Sequence, residues 1–241
     1  MATIQYVTKI DESIPINTVI VSCTNKDGLT SNVASSGQSL PELPEDGLLG
    51  ALTRLNPEVL FLSTGGTFAL LQQAGLNVME VAEYTRFPEM KTGLVKSLHP
   101  RIHAGILAHR YTEEDAAFLQ AHDIRSIDAV IVNFYPLEAM RQQADATIEM
   151  VRQAIDIGGP TMSHNARKAW VSTALLIEPQ AYPAFLADLQ AHQGAVSVVM
   201  RLHLAQQASR HITRYMTEVD SYFQSLTMTD VEQRYEILRS A

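Results

Sequence analysis

The stretch VLFLSTGGTFALLQQAG, Val59 to Gly75, decides the fold. Val59 to Leu62 is a short continuous apolar run, the pattern of a strand buried on both faces. Ser63-Thr64-Gly65-Gly66-Thr67 is a turn rich in hydroxyls and glycine, and FALLQQAG continues as a helix that ends at Gly75. Strand, glycine turn and helix in that order are expected of a βα unit. Two glycines let a main chain approach an anion closely, three hydroxyls offer donors, and the helix behind them contributes its positive end. A plain glycine turn with a threonine cap accounts for the same residues.

Working outward, Thr18 to Cys23 (TVIVSC) reads as a buried strand followed by the turn formers Asn25, Lys26, Asp27 and Gly28. Residues Ser31 to Asp46 carry Gly37, Pro41 and Pro44 and read as an inserted loop, with a short helix over Leu48 to Leu55 after it. Downstream, Ala129 to Val132 is a third strand, ending in Asn133-Phe134-Tyr135-Pro136, and Val171 to Ile177 is a fourth. Helices are expected over Glu113–Ala121 and Ile148–Ile155. Alternation of this kind predicts an α/β fold with a mainly parallel sheet between helices. Leu204, Ala208, Ile212, Tyr215, Val219 and Phe223 recur at helical spacing, which predicts a long C-terminal helix with one packed face.

Composition sets the outer bounds. The chain has 241 residues, 46% of them hydrophobic and 18% charged, with no apolar run long enough to span a bilayer. One domain, residues 1–241, is expected. The opening MATIQYVTKI lacks the pattern of a signal peptide, so a cytoplasmic location is expected. Cys23 is the only cysteine, which rules out an intramolecular disulfide and a cysteine-based zinc site. A formal net charge of −8 argues against a nucleic-acid surface but leaves room for one local anion pocket.

In open α/β sheets ligands bind at the carboxyl ends of the strands, and four polar motifs fall there. Besides the glycine turn there is LVKSLHPRIHAGIL, Leu94 to Leu107, in which Lys96 can neutralise a phosphate or polarise a carbonyl and Ser97 adds a hydroxyl. His99 and His103 are four apart, but Pro100 between them argues against the interior of an ordinary helix, and no metal site is expected. Asn133 and Tyr135 close the third strand. Asp156 precedes Gly158, Gly159 and Pro160, and Lys168 follows twelve residues later, so the two meet only if the intervening chain folds back. An anion cradle, two lysines, a phenol and a carboxylate on one sheet rim make a site for a phosphorylated substrate.

The segments VSCTNKDGL, STGGT, EYTRFPEMKTGLVKSLHPRIHAGILAHR, IDAVIVNFYPLEA and IDIGGPTMSHNARKA resemble, in order and spacing, the IMP cyclohydrolase domain of the bifunctional purine-biosynthesis enzyme that also carries an AICAR transformylase domain. The resemblance implies a methylglyoxal-synthase-like three-layer sandwich with additional C-terminal helices, a homodimer, and no metal or organic cofactor. It implies closure of 5-formyl-AICAR, a small-molecule ribonucleotide, to IMP with loss of water, the formylated substrate coming from a separate AICAR transformylase. Carried over by motif, Lys96, Tyr135, Asp156 and Lys168 are the catalytic set, with Lys168 orienting Asp156. The resemblance further assigns Lys26, Ser63, Thr64, Gly65, Gly66, Thr67, Ser97, Asn133, Gly158 and Gly159 to the substrate and its phosphate.

Three departures bear on the substrate. Leu94 stands where the family carries arginine, which removes one cationic contact; His164 to Ala169 replaces the family's RAAAKN segment, keeping Lys168; and residues 31–46 are inserted. They leave two alternatives beside IMP formation: cyclisation of a related ribonucleotide, or a non-catalytic nucleotide-binding regulatory module on the same fold.

Overall fold

The computed structural model describes residues 6–91 and 93–238. In chain order its elements are β1 (Ser13–Pro15), β2 (Thr18–Cys23), α1 (Gly47–Leu55), β3 (Leu60–Ser63), α2 (Gly65–Gln73), β4 (Val78–Glu80), α3 (Val81–Thr85), α4 (Pro100–Leu107), α5 (Glu113–Ala121), β5 (Ala129–Asn133), α6 (Leu137–Arg141), α7 (Ile148–Ala154), α8 (Gly158–Lys168), β6 (Ala174–Leu176), α9 (Tyr182–Ala191), β7 (Ala195–Ser197), α10 (Val198–Ser225) and α11 (Met228–Arg234).

Five strands form one sheet in the order β4-β3-β2-β5-β6, and every pairing in it is parallel. Strand residues point alternately to its two faces, and each face has its own core. Val19, Val21, Phe61, Ile131 and Leu176 pack with Leu48 and Leu52 of α1 and Phe185 and Leu189 of α9. Ile20, Leu62, Val130, Val132 and Leu175 face the other way, against Ile102 and Ile106 of α4, Met162 and Ala166 of α8 and Ala208 and Ile212 of α10. This is the three-layer α/β sandwich expected from the apolar runs. A separate antiparallel pair, β1 with β7, closes the chain's N-terminal region onto the start of α10.

The expected strand at Val171–Ile177 shortens to Ala174–Leu176. The hydroxyls of Ser172 and Thr173 donate to the carbonyls of Ala169 and Ile127, at 3.3 and 3.1 Å, which takes the strand's first half out of the ladder. On α10 the packed face ends at Tyr222, which is buried, and not at Phe223, which is 53% exposed. Seven residues beyond Tyr215 a helix of 3.6 residues per turn has nearly returned to the same face, and eight overshoot it.

Residues 31–46 fold into a compact loop of their own. The Asn32 amide donates to the Glu45 carbonyl and the Leu40 amide to the Asn32 carbonyl, Leu43 is buried, and the Ser35 amide donates to the Asp27 carboxylate at 2.7 Å. The loop closes at Gly47, whose φ is +66° and where a Cβ would lie 2.6 Å from the Ser31 amide nitrogen; only glycine fits. The insertion thus braces the turn after β2 from the α9 side of the sheet.

Candidate active site

β2 and β5 are neighbours whose onward connections run to opposite sides of the sheet, so a crevice opens beyond their carboxyl ends. Cys23 and Asn133 are register partners there. The Asn133 amide grips the turn after β2 on both sides, accepting from the Asn25 amide at 2.8 Å and donating to the Asn25 carbonyl at 2.7 Å. Asn133, expected as a substrate contact, fixes the Asn25–Gly28 loop through these two bonds. Lys26 turns its ammonium back onto the Thr24 carbonyl at 3.3 Å, on the wall of a cavity of about 610 Å3 that also reaches Glu178 and His211.

The glycine turn divides its residues between structure and binding. Ser63 donates to the Val21 carbonyl at 2.7 Å, and Thr67 donates to the Cys23 carbonyl at 3.0 Å and accepts from its amide at 3.3 Å. Both side chains are buried. Their hydroxyls bolt the turn to β2 and are not presented to a ligand. What faces outward is Thr64 and the amides of Gly65, Gly66 and Thr67 in the first turn of the nine-residue α2, donors that have no partner inside the helix. Gly65 has a φ of +53°, and a Cβ on it would lie 3.2 Å from the Lys96 ammonium. The anion cradle and Lys96 are therefore neighbours.

Lys96 is delivered by two tight turns, with the Gly93 amide bonded to Met90 at 2.8 Å and the Leu98 amide bonded to Val95 at 3.1 Å. Val95 sits at φ +56°, a region β-branched residues rarely adopt. The Lys96 ammonium pairs with a carboxylate oxygen of Glu89 at 3.3 Å. Ser97 is buried, and its hydroxyl lies 2.6 Å from where a Cβ on Gly158 would stand. The polar knot then ends in a helix, because Pro100 occupies the first helical position and the His99 ring nitrogen accepts from the Arg101 amide at 3.1 Å as the N-cap. On the inner side of α4, His103 pairs through Nδ1 with the Asn165 amide at 2.7 Å.

Asp156 stands just before α8. Its Oδ1 accepts from the Gly159 amide at 3.1 Å, and its own amide donates to the Tyr215 hydroxyl at 2.7 Å. Burial raises the Asp156 pKa, an effect partly offset by the Gly159 and Gly158 amides. Asp156 and Tyr135 line one cleft of about 600 Å3 with Thr24 and the apolar wall of Met140, Met150 and Ile155. A volume of that order suits a small molecule. Lys168 does not join them. It is exposed at the far end of the 11-residue α8, about 15 Å along the helix axis from Asp156, and no ion pair links the two. The chain between them is a straight helix and does not fold back. Asp156 is oriented by Tyr215 and the Gly159 amide.

Cys23, beside the crevice, is buried, and burial pushes its thiol up to about 12. It is held as a neutral packing residue. Among the described residues no group of three His, Cys, Asp or Glu side chains is arranged to hold a metal ion, and no helix is long and apolar enough to cross a membrane.

A family model, the MGS-like domain, matches residues 49–161, the span that contains β3, the glycine turn, Lys96, Tyr135 and Asp156. The bifunctional purine biosynthesis protein PurH of Neisseria meningitidis serogroup C is 44% identical over 176 residues, 73% of this chain and 33% of that protein. Residues 49–161 are an MGS-like domain. The PurH protein of Xylella fastidiosa is 36% identical over 214 residues, 89% of this MGS-like chain and 37% of its relative. The chain thus spans about a third of the length of these curated relatives. A crystal structure of ForH superposes with a TM-score of 0.66 at 27% identity, covering 86% of this chain and 98% of that one.

Two residues of this MGS-like site had no signal in the sequence. Tyr215 reads as one more member of the packed stripe on α10, and only the fold shows its hydroxyl on the Asp156 main chain. Glu89 lies in the FPEM stretch, and the turn at Val95 is what brings it to Lys96.

Proposed function

We propose that the protein closes the imidazole carboxamide of 5-formyl-AICAR to IMP with loss of water. The observation that carries this reading is one continuous rim. Lys96 stands beside Gly65 at the start of α2, Ser97 abuts Gly158, and the half-buried Asp156 shares a cleft with Tyr135. The two relatives described as bifunctional purine biosynthesis proteins support the same chemistry.

In this reading the 5′-phosphate rests on the amides of Gly65, Gly66 and Thr67 and on Thr64, and the base lies in the cleft against Met140 and Met150. A carboxamide nitrogen is a poor nucleophile. Asp156, its basicity raised by burial, accepts the proton as that nitrogen attacks the formyl carbon. Lys96 and the Tyr135 hydroxyl stabilise the oxyanion that forms on the formyl oxygen and assist its departure as water. The attack is intramolecular, so holding the two substituents together supplies much of the rate. Lys168 has no part in this scheme. The formylated substrate comes from an AICAR transformylase activity, the site is cytoplasmic, and the protein acts as a homodimer.

A second reading, cyclisation of a related ribonucleotide, is favoured by Leu94, which is 55% exposed beside Lys96 where the family carries arginine. Incubating the protein with 5-formyl-AICAR and following product absorbance against the spontaneous reaction tests both. Turnover well above background supports IMP formation. Binding of IMP or AICAR without turnover points to a regulatory module, and no binding of either points to a different ribonucleotide.

A further inference from the structure

We infer that Glu89 is the positioning residue for Lys96, holding its ammonium against the glycine turn in register for catalysis; this rests on the ring-closure reading of the same site. Glu89 Oε2 lies 3.3 Å from Lys96 Nζ, and the two side chains are 25% and 27% exposed. The other carboxylate oxygen, Oε1, is buried and bonded to nothing among the described residues. A partly exposed ion pair adds little to stability, and a buried oxygen without a donor subtracts from it. A pair kept only for folding would not be built this way.

The surrounding backbone points in the same direction. Beside Lys96, Val95 lies at φ +56° and Gly93 at φ +72°, and a Cβ on Gly93 would lie 2.8 Å from the Lys96 side chain. Glycine adopts its angle freely, but a β-branched residue held at positive φ is strained, and such strain persists where the geometry it secures is used. A lysine has a flexible four-carbon stem and would otherwise sample several rotamers. Contact with Glu89 on one side and with the surface of Gly65 and Gly93 on the other selects one of them. Glu89 touches no reacting atom in this scheme and acts only through Lys96.

The test uses the full chain with Glu89→Gln, which keeps shape and removes charge, and Glu89→Asp, which keeps charge and shortens reach. With 5-formyl-AICAR, Glu89→Gln is expected to lower kcat at least tenfold with KM within about twofold of wild type and an unchanged unfolding midpoint. Glu89→Asp is expected to recover part of the loss, and Glu89→Gln is expected to cost nothing further in a Lys96→Ala background. Acetylation of Lys96 by acetic anhydride, read by mass spectrometry, is expected to run severalfold faster in Glu89→Gln with the other lysines unchanged. That second readout needs no turnover. If wild type does not close 5-formyl-AICAR, the functional reading fails while the labelling still reports on the pair. Unchanged labelling, or losses in kcat that simply multiply in the double variant, overturns the inference.

Discussion

Replacing Gly159 by alanine should damage catalysis far more than folding. Its φ lies outside the left-handed region, so alanine meets no backbone strain, and restricting the unfolded chain stabilises by about 0.4–1 kcal/mol. Against that, the new Cβ would stand 2.8 Å from Asp156 Oδ2, 3.1 Å from Phe134 Cδ1 and 3.2 Å from Val132 Cγ2. Overpacking of this kind costs about 1–3 kcal/mol. The two effects leave a net loss of about 1 kcal/mol, or roughly 2–4 °C in unfolding midpoint for a chain of this size. Phe134 and Val132 are packed into the core, so the carboxylate is the group that yields. A displacement approaching 1 Å at a catalytic group costs on the order of 100-fold in rate. The assay pairs thermal unfolding with steady-state turnover of 5-formyl-AICAR. A Gly159→Ala protein that turns over at the wild-type rate, or whose midpoint falls far enough for unfolding alone to explain the lost activity, refutes the reasoning.

Tyr215→Phe removes the hydroxyl that accepts from the Asp156 amide; it is expected to cost about 1 kcal/mol in chemical denaturation and to lower kcat, with KM little changed. Asp128 is buried at the opposite end of the sheet, where it accepts from the Asn17 and Thr18 amides and pairs with Arg110 at 2.8 Å. Asp128→Ala leaves two amides unpaired and Arg110 with the Ser172 carbonyl but no carboxylate, and should cost about 3–5 kcal/mol of stability while the fraction still folded turns over normally. Burial lowers the His103 pKa from its ordinary 6.5. Above about pH 6.5 neither the folded nor the unfolded chain binds that proton; below it the unfolded chain takes up a proton that the folded one resists, so stability falls as the pH drops toward the lowered value. His103→Gln should flatten that slope in urea titrations run between pH 7 and pH 5.

The sheet and its order of elements were legible because parallel strands buried on both faces leave unbroken apolar runs, as at Thr18–Cys23 and Ala129–Asn133. Strands β1, β4 and β7 have three residues each and carry no periodicity to read. The site residues were legible as chemistry but not as geometry. Sequence spacing could not reveal that the Ser63 and Thr67 hydroxyls turn inward to β2, that Asn133 closes on Asn25, or that a continuous helix carries Lys168 away from Asp156. Each of those outcomes depends on which face an element buries once the sheet has formed. Leu94 shows the converse, since the sequence marks it as a departure and the structure places it exposed on the wall beside Lys96.

The central claim is that this rim carries out ring closure. The most direct measurement compares turnover of 5-formyl-AICAR by wild type, Lys96→Ala and Asp156→Ala at matched folded concentration, each corrected for the spontaneous reaction. The account predicts turnover well above background for wild type and a loss of at least 100-fold in each variant, with unfolding midpoints close to wild type. Wild-type turnover at the background rate, or full turnover by either variant, would contradict it.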